Sequence, residues 1–246
     1  MENEGNNIEK IEDFKEIENR KNLIYNYFFG WVKDNYDKLF ILILITAFIL
    51  RIIIYTKTNQ QALWWDAADY LATGKRWGLG LNTIDIWYYR RGFLWPLIVA
   101  FFFKIGLGEL SMRFFVVLLS TGLVFAVYLL INEMFNKKLA LLTSITITFS
   151  WVYLFFTGRL LIDLPSSFLF LFTLLFFWKG YVKNQGKKYF YLFGLFYCLT
   201  CMIKMQYLMF APSFLVMAIL KEKWRFIKNK QLWISILIFV IIKPNV

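Results

Sequence analysis

This chain is expected to be all-α, a polytopic bundle of about seven transmembrane helices with a long outer loop carrying short interfacial helices. Three observations lead there. The 246 residues are 59% hydrophobic and only 18% charged. The apolar residues fall in long blocks, which a globular core of this size does not need. The bases collect in the short loops between those blocks, as the positive-inside rule requires.

Residues 1–38 hold nine acids against six bases. Their apolar run comes too late for a secretory signal. Ile8, Ile11, Phe14 and Ile17 recur at helical spacing, and Leu23, Ile24, Tyr27, Phe28 and Trp31 follow. Two readings stand, a solvated tail or an amphipathic segment leading into an interfacial one. Residues 1–38 are thus expected to form a cytoplasmic or interfacial segment ahead of a transmembrane domain over 39–246.

The first span is expected over Leu39–Tyr55, with Arg51 near its far end and able to snorkel to the interface. A connection rich in glycine, polar residues and aromatics runs from Lys57 to Arg91. The apolar stretch 93–106 is short for a crossing and reads as a helix lying in, or re-entering, the interface. Further spans are expected near 112–132, 139–156, 164–180, 189–203, 206–220 and 231–242. The chain ends almost at once after the last, so it is expected to be truncated at its C-terminus.

Lys137, Lys138, Lys179, Lys183, Lys187, Lys188, Lys221, Lys223, Arg225, Lys228 and Lys230 fall on one side of this arrangement. The positive-inside rule makes that side, and the N-terminus, cytoplasmic. The 208 residues after Lys38 contain only seven acids, and Asp66, Asp69, Asp85, Glu109 and Asp163 then all face outward. Arg90, Arg91, Arg159 and Lys204 join them there. A cluster of carboxylates and cations at a membrane surface is a candidate site.

There is no histidine in the chain. That excludes Ser-His-Asp and Cys-His catalysis and histidine-based metal sites. Acid–base chemistry must use Asp, Glu, Lys or Tyr. Cys198 and Cys201 have CxxC spacing but lie within an apolar run, where they read as small apolar residues. The basic excess sits in short interhelical loops, so lipid headgroups explain it and nucleic acid is not expected as a partner.

Asp66 and Asp69 share a face if their segment is helical, and two neighbouring carboxylates suit one of them to general-base work. The plainer reading of Asp69 is a solvated loop charge. Asp163 closes the turn Thr157-Gly158-Arg159-Leu160-Leu161-Ile162-Asp163-Leu164-Pro165. It either takes part in a site, pairs with Arg159 one helical turn earlier, or N-caps the next span. Trp64, Trp65, Tyr70, Trp77, Trp87, Tyr88, Tyr89 and Trp95 suit an interfacial belt, or in part a stacking platform. Lys204, between two apolar runs, either holds a lipid phosphate at headgroup level or is a turn residue that fixes topology.

The run Trp65-Asp66-x-x-x-Tyr70, then Arg90-Arg91-Gly92-Phe93-Leu94-Trp95-Pro96-Leu97, Phe103-Lys104-Ile105-Gly106, Met112-Arg113-Phe114 and Gly158-Arg159 to Asp163-Leu164-Pro165, resembles the C-type integral-membrane glycosyltransferases. Their branch of protein O-mannosyltransferases and lipid A aminoarabinose transferases (glycosyltransferase family 39) is the most similar. The resemblance covers roughly residues 39–220. It implies transfer of a sugar from a polyprenyl-phosphate-linked donor to a protein, lipid or glycan acceptor on the outer face of the plasma membrane. By that resemblance Asp66 matches the first-loop catalytic Asp and Asp163 the acidic residue of the second outer loop. Arg90 or Arg91 matches a cation before the Pro-containing segment, and Lys204 a phosphate-contacting Lys, with Arg159 beside them. The family commonly has Asp-Glu in the first loop, whereas Ala67 follows Asp66 here. Asp69 is the carboxylate available to compensate. A monophosphate leaving group reduces the need for a metal, no metal-ligating residue is assigned, and use of a divalent cation stays open. The competing expectations are a transporter or flippase of a lipid-linked substrate, or an inactive truncated fragment. Transporters place their charges near the bilayer midplane on broken helices, whereas these cluster at one surface.

Overall fold

The computed structural model describes residues 30, 32–33, 35–81 and 92–223, with isolated positions 230, 233–234 and 237. The amphipathic segment expected over 1–28, the loop residues Asp85, Trp87, Tyr88, Tyr89, Arg90 and Arg91, and most of the span expected at 231–242 lie outside the described residues. Among the described residues every regular element is helical. The chain divides into two compact units, residues 1–42 and 43–246. In the first, the start of helix α1 (Tyr36–Thr58) is described, with Asp37 in its first turn, where the helix dipole favours an anion.

The second unit carries the rest of α1 and then α2 (Trp65–Leu79), α3 (Leu94–Lys104), α4 (Glu109–Met134), α5 (Lys137–Phe149), α6 (Trp151–Phe156), α7 (Asp163–Phe177), α8 (Lys187–Ile203) and α9 (Ala211–Glu222). A π-turn over Trp178–Val182 extends α7, and a 3₁₀ segment over Met205–Phe210 precedes α9. Among the described residues three helices are long and apolar enough to cross a membrane: Tyr36–Thr58, Glu109–Met134 and Asp163–Val182, with mean hydropathies of 2.6, 2.6 and 1.3. Helix α3, at 11 residues, rises only about 16 Å and is too short to cross. The span expected over 139–156 is broken. Ser150 adopts an extended conformation (φ −64°, ψ 119°) that ends α5 and starts α6.

The connection expected as a long loop contains α2, which packs lengthwise on α3. Gly74 and Gly78, four residues apart, make that approach possible. A Cβ on Gly74 would run into the Val99 side chain, and one on Gly78 into the carbonyl oxygen of Ala100. Small residues at this spacing let two helix backbones touch. Gly80, left-handed at φ 65°, ends α2, and the Leu81 N–H returns to the Arg76 carbonyl in a Schellman-type cap.

A buried core gathers Ala67, Tyr70 and Leu71 of α2, Trp95 and Val99 of α3, Met112 and Val116 of α4, and Leu160, Leu164 and Ile203. Trp95 is wholly buried and donates its indole N–H to the Leu160 carbonyl at 3.2 Å. A second core joins Phe177 and Tyr181 to Phe190, Phe193, Tyr197 and Cys201 of α8 and Ala218 of α9. Cys198 and Cys201 are buried and form no disulfide, as small apolar residues would.

Arg51 corrects the snorkelling expectation. It is fully buried, and its Nε donates to Ser120 Oγ of α4 at 2.7 Å. The reason is that Ser120 and the Ala47 carbonyl supply polar partners inside, so the guanidinium need not climb to the interface.

The glycine contact yields a stability prediction. Gly78→Ala should destabilise the folded chain by about 1–3 kcal/mol, because the methyl meets backbone rather than a movable side chain. A clearly lowered midpoint of denaturant unfolding in detergent is expected, and an unchanged midpoint would contradict the close α2–α3 contact.

Candidate active site

Ion pairs of the second unit gather at the two ends of α4. At its C-terminal end Glu133 accepts from Lys183 (2.9 Å) and Gln185 (2.7 Å) and pairs with Lys179 at 3.3 Å. At its N-terminal end Arg113, almost wholly buried, pairs with Glu109 at 2.7 Å and donates to the carbonyls of Gln61 (2.8 Å) and Thr58 (3.3 Å). Those two carbonyls belong to the last residue of α1 and to the segment that follows it, so Arg113 ties the entry to α2 onto α4. The i,i+4 spacing of Glu109 and Arg113 was the signal in the sequence for this clamp, and it was assigned no role there.

Asp66 stands exposed in the first turn of α2, where the N-terminal dipole favours a carboxylate. Asp163 is the first residue of α7, with Pro165 in the same turn, where a missing N–H costs nothing. Asp66 and Asp163 line one open cleft of about 670 Å³ together with Leu63, Trp64 and Leu161. Asp69 is exposed on the same helix, one turn on, and outside that lining.

Asp163 does not pair with Arg159 or N-cap α7. Its Oδ1 accepts from Lys204 Nζ at 2.7 Å, with both side chains partly exposed. Lys204 ends α8 in an extended conformation (φ −143°, ψ 102°). The corner after it is braced by Tyr197, whose hydroxyl donates to the Tyr207 carbonyl at 3.0 Å. The pair links residues 41 apart in sequence, a separation at which spacing rules say nothing.

Arg159 instead lies over aromatics. Its guanidinium carbon is 4.3 Å from the centre of the Trp64 ring and 4.0 Å from that of Phe155. Its Nε donates to the Phe155 carbonyl at 2.9 Å. Burial, and then the positive charge of Arg113, lower its pKa from the ordinary arginine value. An arginine so lowered still stays charged near neutrality. The cation holds Trp64 against the 157–163 turn, so this tryptophan is a structural wall of the cleft.

Ala67 is buried in the core, and a void of about 10 Å³ beside it is lined also by Arg113 and Arg159. That is room for one water. The position that in the resembled family carries a second carboxylate thus shares this void with two arginines here. Among the described residues, no three carboxylates or thiols lie together as a metal-ligand set. Of the cations expected from the sequence, Arg159 and Lys204 stand beside the cleft residues, while Arg90 and Arg91 lie outside the described residues. Gly92 is described, and it abuts the carbonyls of Met202 and Ile203 so closely that a Cβ would not fit.

No curated protein and no solved structure matches the chain significantly. A family model does match. It spans residues 90–246, which include Arg159, Asp163 and Lys204 and exclude Asp66 and Asp69. With nearly two thirds of its length so matched, the chain belongs to the dolichyl-phosphate-mannose-protein mannosyltransferase family.

Proposed function

We propose that this integral membrane protein transfers a sugar, mannose by family, from a polyprenyl-phosphate-linked donor to an acceptor hydroxyl on the outer face of the membrane. The observation that carries the reading is the shared cleft. Asp66 and Asp163, from helices far apart in sequence, line it together, and Lys204 is held on Asp163. In this reading Asp66 is the general base. It takes the acceptor proton as the hydroxyl oxygen attacks the anomeric carbon, and the bond to the lipid phosphate breaks with inversion. Lys204 and Arg159 face the charge that develops on the departing phosphate, as fixed cations in a partly desolvated site. Asp163 aims the Lys204 ammonium. Asp69, Arg90 and Arg91 are assigned to acceptor or headgroup contact. A protein is the acceptor class that the family implies.

The same reading sets the topology. About seven crossings, a cytoplasmic N-terminus and an outward cleft in the plasma membrane are consistent with the lysine-rich loops and with the gathering of Lys179, Lys183 and Gln185 at the other end of α4. In this reading residues 1–38 are the cytoplasmic segment and 39–246 the transferase domain. Ion pairs placed at the ends of α4 rather than at its middle favour surface chemistry over a carrier with a midplane site.

Two measurements follow. Asp66→Asn should lower the turnover of sugar transfer about 10²–10⁴-fold in membranes supplied with polyprenyl-phosphate mannose, the usual worth of a positioned base. Lys204→Met should act mainly by weakening donor use, and full activity in Asp66→Asn would remove the base assignment. In a background free of Cys198 and Cys201, a cysteine at Ala62 should react with an impermeant maleimide from outside intact cells, and one at Asn184 only after permeabilisation. The reverse pattern would overturn the orientation.

A further inference from the structure

Arg51 is a charge the transfer chemistry does not use, and it sits where a charge is costly. It lies seven residues before the end of α1, about 10 Å below that end, with no accessible surface. Among the described residues no carboxylate partners it. Besides the Ala47 carbonyl, its bonds run through hydroxyls: Nε to Ser120 Oγ at 2.7 Å, and Ser120 Oγ to Thr157 Oγ1 at 2.9 Å. Thr157 has one hydroxyl proton, and it is directed to the Tyr153 carbonyl at 2.9 Å. Ser120 must therefore donate to Thr157, and Arg51 to Ser120. Each donor in such a chain polarises the next. One amino group of Arg51 is buried with no hydrogen-bond partner among the described residues. A group that only filled space here would be cheaper as a leucine.

Thr157 is where the turn that carries the cleft residues begins. Gly158 follows in a left-handed conformation (φ 76°), then Arg159, Leu160 with its carbonyl held by Trp95, Leu161 in the cleft wall, and Asp163. The turn thus has two buried anchors, and the first depends on Arg51. We infer that Arg51 is a positioning residue that, through Ser120 and Thr157, sets the 157–163 turn and with it Arg159 and Asp163. Its consequence for catalysis rests on the transferase reading above, while its consequence for the turn does not.

The test uses the full chain in detergent, free of Cys198 and Cys201, with a reporter cysteine at Leu161 and a control cysteine at Asn184. Thr157→Val removes the hydroxyl at nearly constant shape, and Arg51→Met removes the cation. Each should raise the maleimide reaction rate at 161 about tenfold, the scale on which losing one buried hydrogen bond eases a local opening. Thr157→Ser should restore the parent rate, the double variant should exceed neither single one, and the rate at 184 should not move. The inference is overturned if Thr157→Val leaves the rate at 161 unchanged, if the two effects multiply, or if 184 rises equally. Should Arg51→Met fail to fold, the Thr157→Val and Thr157→Ser pair decides alone. An inactive parent chain with polyprenyl-phosphate mannose would count against the transferase reading and leave the 161 result standing.

Discussion

The hydrogen bond from the Trp95 indole to the Leu160 carbonyl joins the two halves of the candidate site. On one side stands the α2–α3 pair, fused by Gly74 and Gly78, with Asp66 at its start. On the other runs the 157–163 turn, with Arg159 and Asp163. Trp95 is wholly buried, so its N–H has no water to fall back on, and losing the partner would cost about 1–3 kcal/mol. Leu160 is buried beside it in the same core. Because a bonded donor and a packed side chain act at the same point, the turn cannot shift without disturbing the apolar core, and the cleft walls keep their spacing.

Around that joint the chain follows one rule. Near the cleft, cationic side chains are tied to polar groups of other elements. Arg113 satisfies carbonyls at and just beyond the end of α1 while pairing with Glu109. Lys204 leaves α8 to meet Asp163 on α7. The cations that brace the cleft are therefore also the ones that close the helix ends. In this arrangement the same groups that stabilise the folded chain can meet a developing phosphate charge without first reorganising.

Much of this was legible before any coordinates. Long apolar blocks announce helices, and the scarcity of acids after Lys38 singles out Asp66 and Asp163. The three longest spans emerge where hydropathy puts them. What was not legible depended on contacts between distant residues. The Asp163–Lys204 pair crosses 41 positions, while local spacing favoured Arg159 or a cap. Arg51 looked like a snorkelling cation because Ser120, its partner, lies 69 residues on. The break at Ser150 has no glycine or proline to mark it. The Gly74–Gly78 spacing was present in the sequence, but it becomes meaningful only once α3 is seen lying against it.

The central claim is that the cleft shared by Asp66 and Asp163 receives the phosphate of a lipid-linked donor. A polyprenyl phosphate carrying a photoreactive group next to its phosphate tests this most directly, with cross-linked peptides located by mass spectrometry. The account predicts adducts on the segments around Leu63–Asp66, Leu161–Asp163 and Lys204, suppressed by excess unlabelled polyprenyl phosphate. Competable adducts confined to the Glu133, Lys179 and Lys183 end would contradict it.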